Sequence, residues 1–125
     1  MTRATKPFVM LVEDDPDNLE VLEFGLMRWG AVVQTYTTAD EALAALQGVV
    51  PDALVTDLAM PEHDGFWLVE QVRRSLALTR LPIIAVTGHG ERSHVESAWH
   101  AGADDLLLEP VDSRAIYRRI QQLIG

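Results

Sequence analysis

Five short apolar runs recur along this chain, and each is followed by a stretch whose apolar residues fall three and four apart. FVMLVE (8–13) is almost continuously hydrophobic, as a strand covered on both faces must be. DDPDN then punctuates the chain, and Leu19, Leu22, Leu26 and Trp29 mark a helix that Gly30 stops. AVVQTY (31–36) predicts the second strand. TTADEALAALQG predicts a helix with a threonine cap, acids in its first turn, Leu43 and Leu46 inward, and a glycine stop. DALVTD (52–57) predicts the third strand; after the loop LAMPEHDG comes a helix carrying Leu68, Val69, Val72 and Leu76. LPIIAVT (81–87) is the fourth strand, GHGERS the loop, and HVESAWHAGA a helix with Val95, Ala98 and Ala101 inward. DLLL (105–108) is the fifth strand, and DSRAIYRRIQQLIG a last helix with Ile116, Ile120 and Leu123 on one side.

Five strand–helix units without linker, repeat or low-complexity segment predict an α/β fold, a (βα)5 parallel sheet wrapped by helices. Right-handed crossovers place each helix on a face of such a sheet. At 125 residues the chain reads as one domain, 1–125. Ligands of open parallel sheets bind beyond the carboxyl ends of the strands, where the strand order switches. The residues that stand there are Glu13, Asp14 and Asp15 after strand one, Asp57 after strand three, Thr87 and Gly88 after strand four, and Glu109 after strand five.

Most of these are carboxylates, in a chain whose net charge is already −9. That charge opposes binding to a nucleic-acid backbone or an anionic membrane, and leaves cations and other proteins as natural partners. With no cysteine, disulfides, thiolate zinc sites and a cysteine nucleophile are excluded, and a reducing cytoplasm suits the chain. The N-terminal MTRATKPF has no apolar signal core behind it, so a soluble, cytoplasmic protein is expected. Any one strand-end acid reads as a helix cap, a role that suits Asp15, Asp17 and Asn18. Glu13, Asp14 and Asp57 together ask for more, because crowded carboxylates raise one another's pKa and a hard divalent cation removes the conflict. A hydroxyl at Thr87 beside Gly88 offers a phosphoryl group a donor and close backbone approach.

These residues carry a family resemblance over essentially the whole chain. LVEDDPDN after strand one, D-L-A-M-P-E-H-D-G around Asp57, V-T-G at strand four and GADDLLLEP at strand five resemble the receiver domain of two-component response regulators, of the single-domain chemotaxis type. The resemblance implies a flavodoxin-like, doubly wound sheet in the order 2-1-3-4-5. It implies that Asp57 is the phosphoacceptor, attacking phosphohistidine on a histidine kinase or histidine phosphotransfer protein to form an acyl phosphate. Mg2+ is then held by Asp14, Asp57 and the backbone carbonyl of Ala59, with Glu13 acting through water. Thr87 is the switch hydroxyl, Gly88 lies beside the phosphoryl group, and Pro110 follows a cis bond, which an X-Pro peptide tolerates. A single receiver domain with no effector domain is expected to signal through an unknown downstream protein or a homodimer at the last helices, where Arg114, Arg118 and Arg119 lie.

Two positions depart from the family pattern. The lysine before Pro110 is replaced by Glu109, and the switch aromatic three residues earlier by Leu106. At roughly 4 Å and an effective dielectric of about 20, one charge pair is worth on the order of 4 kcal/mol, so the reversed sign at Glu109 bears directly on the chemistry. Lys6 is the only lysine and belongs at the opposite end of the sheet, which leaves Arg92 as the nearest cationic substitute in sequence. His63, His89, His94 and His100 lack helical metal spacing, so zinc is not expected. Besides an active receiver, the departures leave open a pseudo-receiver that binds partners independently of phosphate. A Mg-dependent phosphohydrolase with Asp57 as nucleophile is the least favoured reading, since the D-x-D such enzymes use would place a second acid at Ala59. The chain is expected not to be an enzyme beyond self-phosphorylation and self-dephosphorylation.

Overall fold

The computed structural model describes residues 6–88 and 92–124, and the side chains of 92–94 lie outside that description. Five parallel strands, β1 (Phe8–Val12), β2 (Val32–Tyr36), β3 (Ala53–Asp57), β4 (Ile83–Thr87) and β5 (Asp105–Leu108), form one sheet in the order 2-1-3-4-5. Between and after them run α1 (Pro16–Trp29), α2 (Ala39–Leu46), α3 (Gly65–Arg74), α4 (Arg92–Ala101) and α5 (Ser113–Ile124). This is the flavodoxin-like, doubly wound arrangement expected from the sequence.

The period of two along each strand divides its unbroken hydrophobicity between two cores. Val9, Leu11, Val55, Ile84 and Val86 face α1 and α5, where Leu22, Leu26, Ile116 and Ile120 meet them. Met10, Val12, Leu54, Ile83 and Ala85 face the other way, onto Ala42 and Leu46 of α2, Leu68 and Val72 of α3 and Ala98 of α4. The central strands β1, β3 and β4 are thus buried on both faces, whereas Val32 on edge strand β2 and Leu108 on edge strand β5 are half-exposed. Asp15 caps α1 by accepting from the Asp17 N–H, and Thr38 caps α2 by accepting from the Glu41 N–H. Gly30 stops α1 at φ 118°, a left-handed conformation that costs a side-chain-bearing residue strain.

The bounds of two helices correct the sequence reading. Leu76 is not on the buried stripe of the third helix: α3 ends at Arg74, Ser75 turns extended, and Leu76 is 93% exposed. A 3-10 turn over Leu76–Leu78 sends Leu78 into the core in its place. The fourth helix starts at Arg92 rather than at His94, and ends at Ala101 rather than running through Gly102. Trp29 completes the helical spacing of α1, yet it is 46% exposed and lies beneath the Arg114 guanidinium, whose carbon is 5.4 Å from the ring centre.

Candidate phosphoacceptor and metal site

The sheet order puts β1 beside β3 and leads their following connections to opposite sides, which opens a crevice at the carboxyl ends of those two strands. Glu13 and Asp14 leave β1 there, and Asp57 is the last residue of β3. One carboxylate oxygen from each of the three lies within 4.8 Å of the other two. Glu13 is buried, and its Oε2 accepts the Asp15 N–H at 3.3 Å; Asp14 and Asp57 are partly exposed at the rim.

Burial pushes the Glu13 carboxyl up to about 8, helped by the hydrogen bond it shares with Asp57 and by repulsion from that carboxylate. Burial also raises Asp57, and so does the Asp14 charge, while the bond from Glu13 and the N–H groups of Ala59 and Leu58 work in the opposite direction. Burial and mutual repulsion thus make negative charge costly on both Glu13 and Asp57. Three carboxylate oxygens gathered this closely form an oxygen-only donor set that fits a hard divalent cation.

The loop after Asp57 is shaped by its backbone. The Leu58 N–H donates to Val86 O, the Ala59 N–H to Asp57 Oδ1 at 3.3 Å, and the Gly65 N–H back to Leu58 O at 3.1 Å. A Cβ at Gly65 would strike the Asp57 carbonyl oxygen and lie 2.7 Å from Leu58 Cα, so the start of α3 can sit this close only without a side chain. Asp64 caps α3 by accepting the Trp67 N–H at 2.9 Å.

Thr87 stands beside this group. Asp57 pairs with Val86 in the β3–β4 register, so the next residue of β4 is Thr87, almost fully buried. The Glu109 N–H donates to Thr87 O at 2.7 Å, which ties the end of β5 to the end of β4. The Glu109 carboxylate leans over the same corner: its Oε2 is 3.7 Å from where a Gly88 Cβ would be. The Glu109–Pro110 peptide is cis. Leu106 is half-buried against the core on the α4 side. Arg92, the cation proposed to compensate for Glu109, has its side chain outside the described residues, as does His94; His89 lies outside them entirely.

Spacing alone did not single out His63. Its ring stacks on Trp67, with centroids 3.8 Å apart and planes 7° from parallel, and its Nδ1 is 2.8 Å from Asp40 Oδ1 on α2. The residue before His63, Glu62, adopts φ 62°, a left-handed backbone in a residue with a long side chain.

Comparison with known proteins places these features in context. The family described as "Response regulator receiver domain" matches residues 9–121. An uncharacterised 14.6 kDa protein encoded beside sodA1 in Leptolyngbya boryana is 40% identical over 114 residues, which cover 91% of this chain and 87% of that protein. The transcriptional regulatory protein AfsQ1 of Streptomyces coelicolor is 33% identical over 94% of this chain, which spans only about half, 51%, of that longer protein. Among solved structures, the receiver domain of the Pseudomonas aeruginosa sensor histidine kinase PA1611 superimposes with a TM-score of 0.90 at 29% identity, over 97% of this chain and 99% of that one. That structure holds a magnesium ion in its active-site cleft. No helix among the described residues is long and apolar enough to cross a membrane.

Proposed function

This chain belongs to the response regulator receiver domain family of two-component signalling, and on that premise we propose that Asp57 is its phosphoacceptor, with Mg2+ held by Asp14, Asp57 and the Ala59 carbonyl and by Glu13 through water. The observation that carries this reading is the convergence of Glu13, Asp14 and Asp57 at the switch point of the sheet, with Thr87 on the adjoining strand end.

In the reaction an Asp57 carboxylate oxygen attacks the phosphorus of a phosphohistidine; a P–O bond forms, the P–N bond breaks, and the electron pair leaves on the imidazole of the donor. Bound Mg2+ would supply positive charge against the carboxylates and the incoming phosphoryl oxygens. On this reading the Thr87 hydroxyl donates to a phosphoryl oxygen, and Gly88 leaves the backbone open to it. Movement of Thr87 toward that oxygen would pull on Glu109 through the backbone bond at 2.7 Å, so that the phosphorylation signal enters β5. Leu106, in place of an aromatic switch residue, would answer with a smaller repacking.

Glu109 gives the site its individual character. Its carboxylate faces the corner where a receiver normally offers an ammonium group, so it opposes a dianionic phosphoryl group and shifts the balance toward the unphosphorylated form. The donor would be a histidine kinase or histidine phosphotransfer protein, and output would pass through protein contact, either with a downstream protein or between copies at the last helices. The cysteine-free chain suits the reducing cytoplasm, where we place it.

The test is incubation with Mg2+ and acetyl phosphate, read by intact mass. One phosphoryl adduct is expected in the wild type and none in Asp57→Asn. An adduct that appears in Glu109→Lys but never in the wild type would overturn the reading in favour of a phosphate-independent binding module.

A further inference from the structure

The segment between β3 and α3 carries Ala59, and both its ends are anchored by the Leu58 and Gly65 backbone bonds and the Asp64 cap. Its middle is different. Pro61, Glu62 and His63 are exposed, and Glu62 stands in a left-handed conformation that an L residue adopts only when something holds it there. An exposed loop histidine ordinarily samples several rotamers. The His63 ring is instead fixed from two sides, by the Trp67 indole of α3 across its face and by the Asp40 carboxylate of α2 at its edge.

We propose that His63 is a positioning residue for the phosphoacceptor loop, a clamp that joins α2 to α3 and holds the backbone around Ala59 in place. The proposal rests on the reading of Asp57 and its neighbours as a metal-dependent phosphoacceptor site.

An ionised carboxylate only accepts, so Nδ1 donates to Asp40 and Nε2 faces away from that bond. The bond to Asp40 fixes the edge of the ring and the stack on Trp67 fixes its face, so the loop is tied to α2 and to α3 at once. The other charged groups on the elements it touches are Glu41 on α2, Glu62 and Asp64 in the loop, and Glu70, Arg73 and Arg74 on α3; Asp40 alone among them bonds the ring.

The experiment is a Mg2+ titration followed by amide NMR shifts, on wild type, His63→Ala, His63→Gln and Asp40→Asn, with thermal melts to check folding. Alanine at 63 should weaken Mg2+ about tenfold, within the range typical of residues that orient metal ligands. Asn at 40, which leaves the loop sequence untouched, should weaken it in the same direction and decides the matter if the alanine variant does not fold. His63→Gln, whose amide N–H can still donate to Asp40 but which lacks the ring stacked on Trp67, should recover part of the affinity lost in His63→Ala. Variants that match the wild type overturn the clamp, as does a loss in His63→Ala that Asp40→Asn does not share, which would assign the ring to packing alone. A wild type that binds no Mg2+ and takes no phosphoryl group removes the function reading and the clamp together; one that does both, with indifferent variants, removes only the clamp.

Discussion

Among the described residues, Glu13 carries a carboxyl held far from its ordinary state. Its folded pKa is about 8 against an ordinary 4.5, so between those values the folded protein binds a proton that the unfolded chain has released. The stability this contributes is full below pH 4.5 and is lost as pH rises toward 8; the rise in Asp57 acts in the same direction. Denaturant unfolding in EDTA should therefore show stability falling across that interval, and Glu13→Gln, which cannot ionise, should flatten the curve. A wild-type curve that climbs instead would mean that the pair is not strained. Gly65 belongs to the same scale. Any side chain there meets the Asp57 carbonyl, so Gly65→Ala should cost about 1–3 kcal/mol in chemical denaturation and weaken Mg2+ binding as well. The acids and Thr87 were legible in sequence because each stands where an apolar run stops. The His63 contacts were not, since Asp40 and Trp67 are distant in the chain and their meeting depends on how α2 packs on α3.

At the scale of elements, one arginine fastens four of them. Arg73, in the last turn of α3, donates to the carbonyls of Gly102 at 2.8 Å, Leu81 at 2.8 Å, and Leu78 and Thr79 at 3.2 Å, and pairs with Asp104 at 2.9 Å. Asp104 in turn accepts the Ile83 N–H at 2.8 Å, so the ends of α3 and α4 are tied to the starts of β4 and β5. Arg73→Ala leaves several of these acceptors unsatisfied and should destabilise by about 2–4 kcal/mol, while Arg74→Ala, on an exposed neighbour, should change little in the same melts. The arginine explains why α3 stops earlier than its apolar spacing suggests. Leu76 continues the periodicity, but the chain must turn at Ser75 to bring the carbonyls of Leu78 and Leu81 to Arg73. Hydrophobic spacing records which face a residue suits; it carries no information about a hydrogen-bond hub assembled from four segments.

Over the whole molecule, charge is the dominant long-range term: a net −9 on 125 residues, with three carboxylates drawn into one crevice. A cation that binds only the folded form stabilises it by mass action, by about 2.7 kcal/mol when its concentration is one hundred times its Kd. Mg2+ should therefore raise the melting temperature more than NaCl at equal ionic strength, and Asp14→Asn should abolish most of that difference; equal shifts for both salts would leave only screening. The amino-acid order alone determined the alternation of strands and helices, the two-sided burial of the central strands, and the list of strand-end residues, because periodicity and turn chemistry are local properties of the chain. The resemblance of the motifs supplied the strand order, which local patterning cannot encode. Tertiary structure decided the rest. Only the lateral order of the strands brings Glu13, Asp14 and Asp57 within one ion's reach, and only packing raises the Glu13 and Asp57 carboxyls, leans Glu109 over Gly88 and fixes His63 between two helices. Each of these depends on distances through space between residues far apart in sequence, and burial in a shared crevice is what turns those distances into energy.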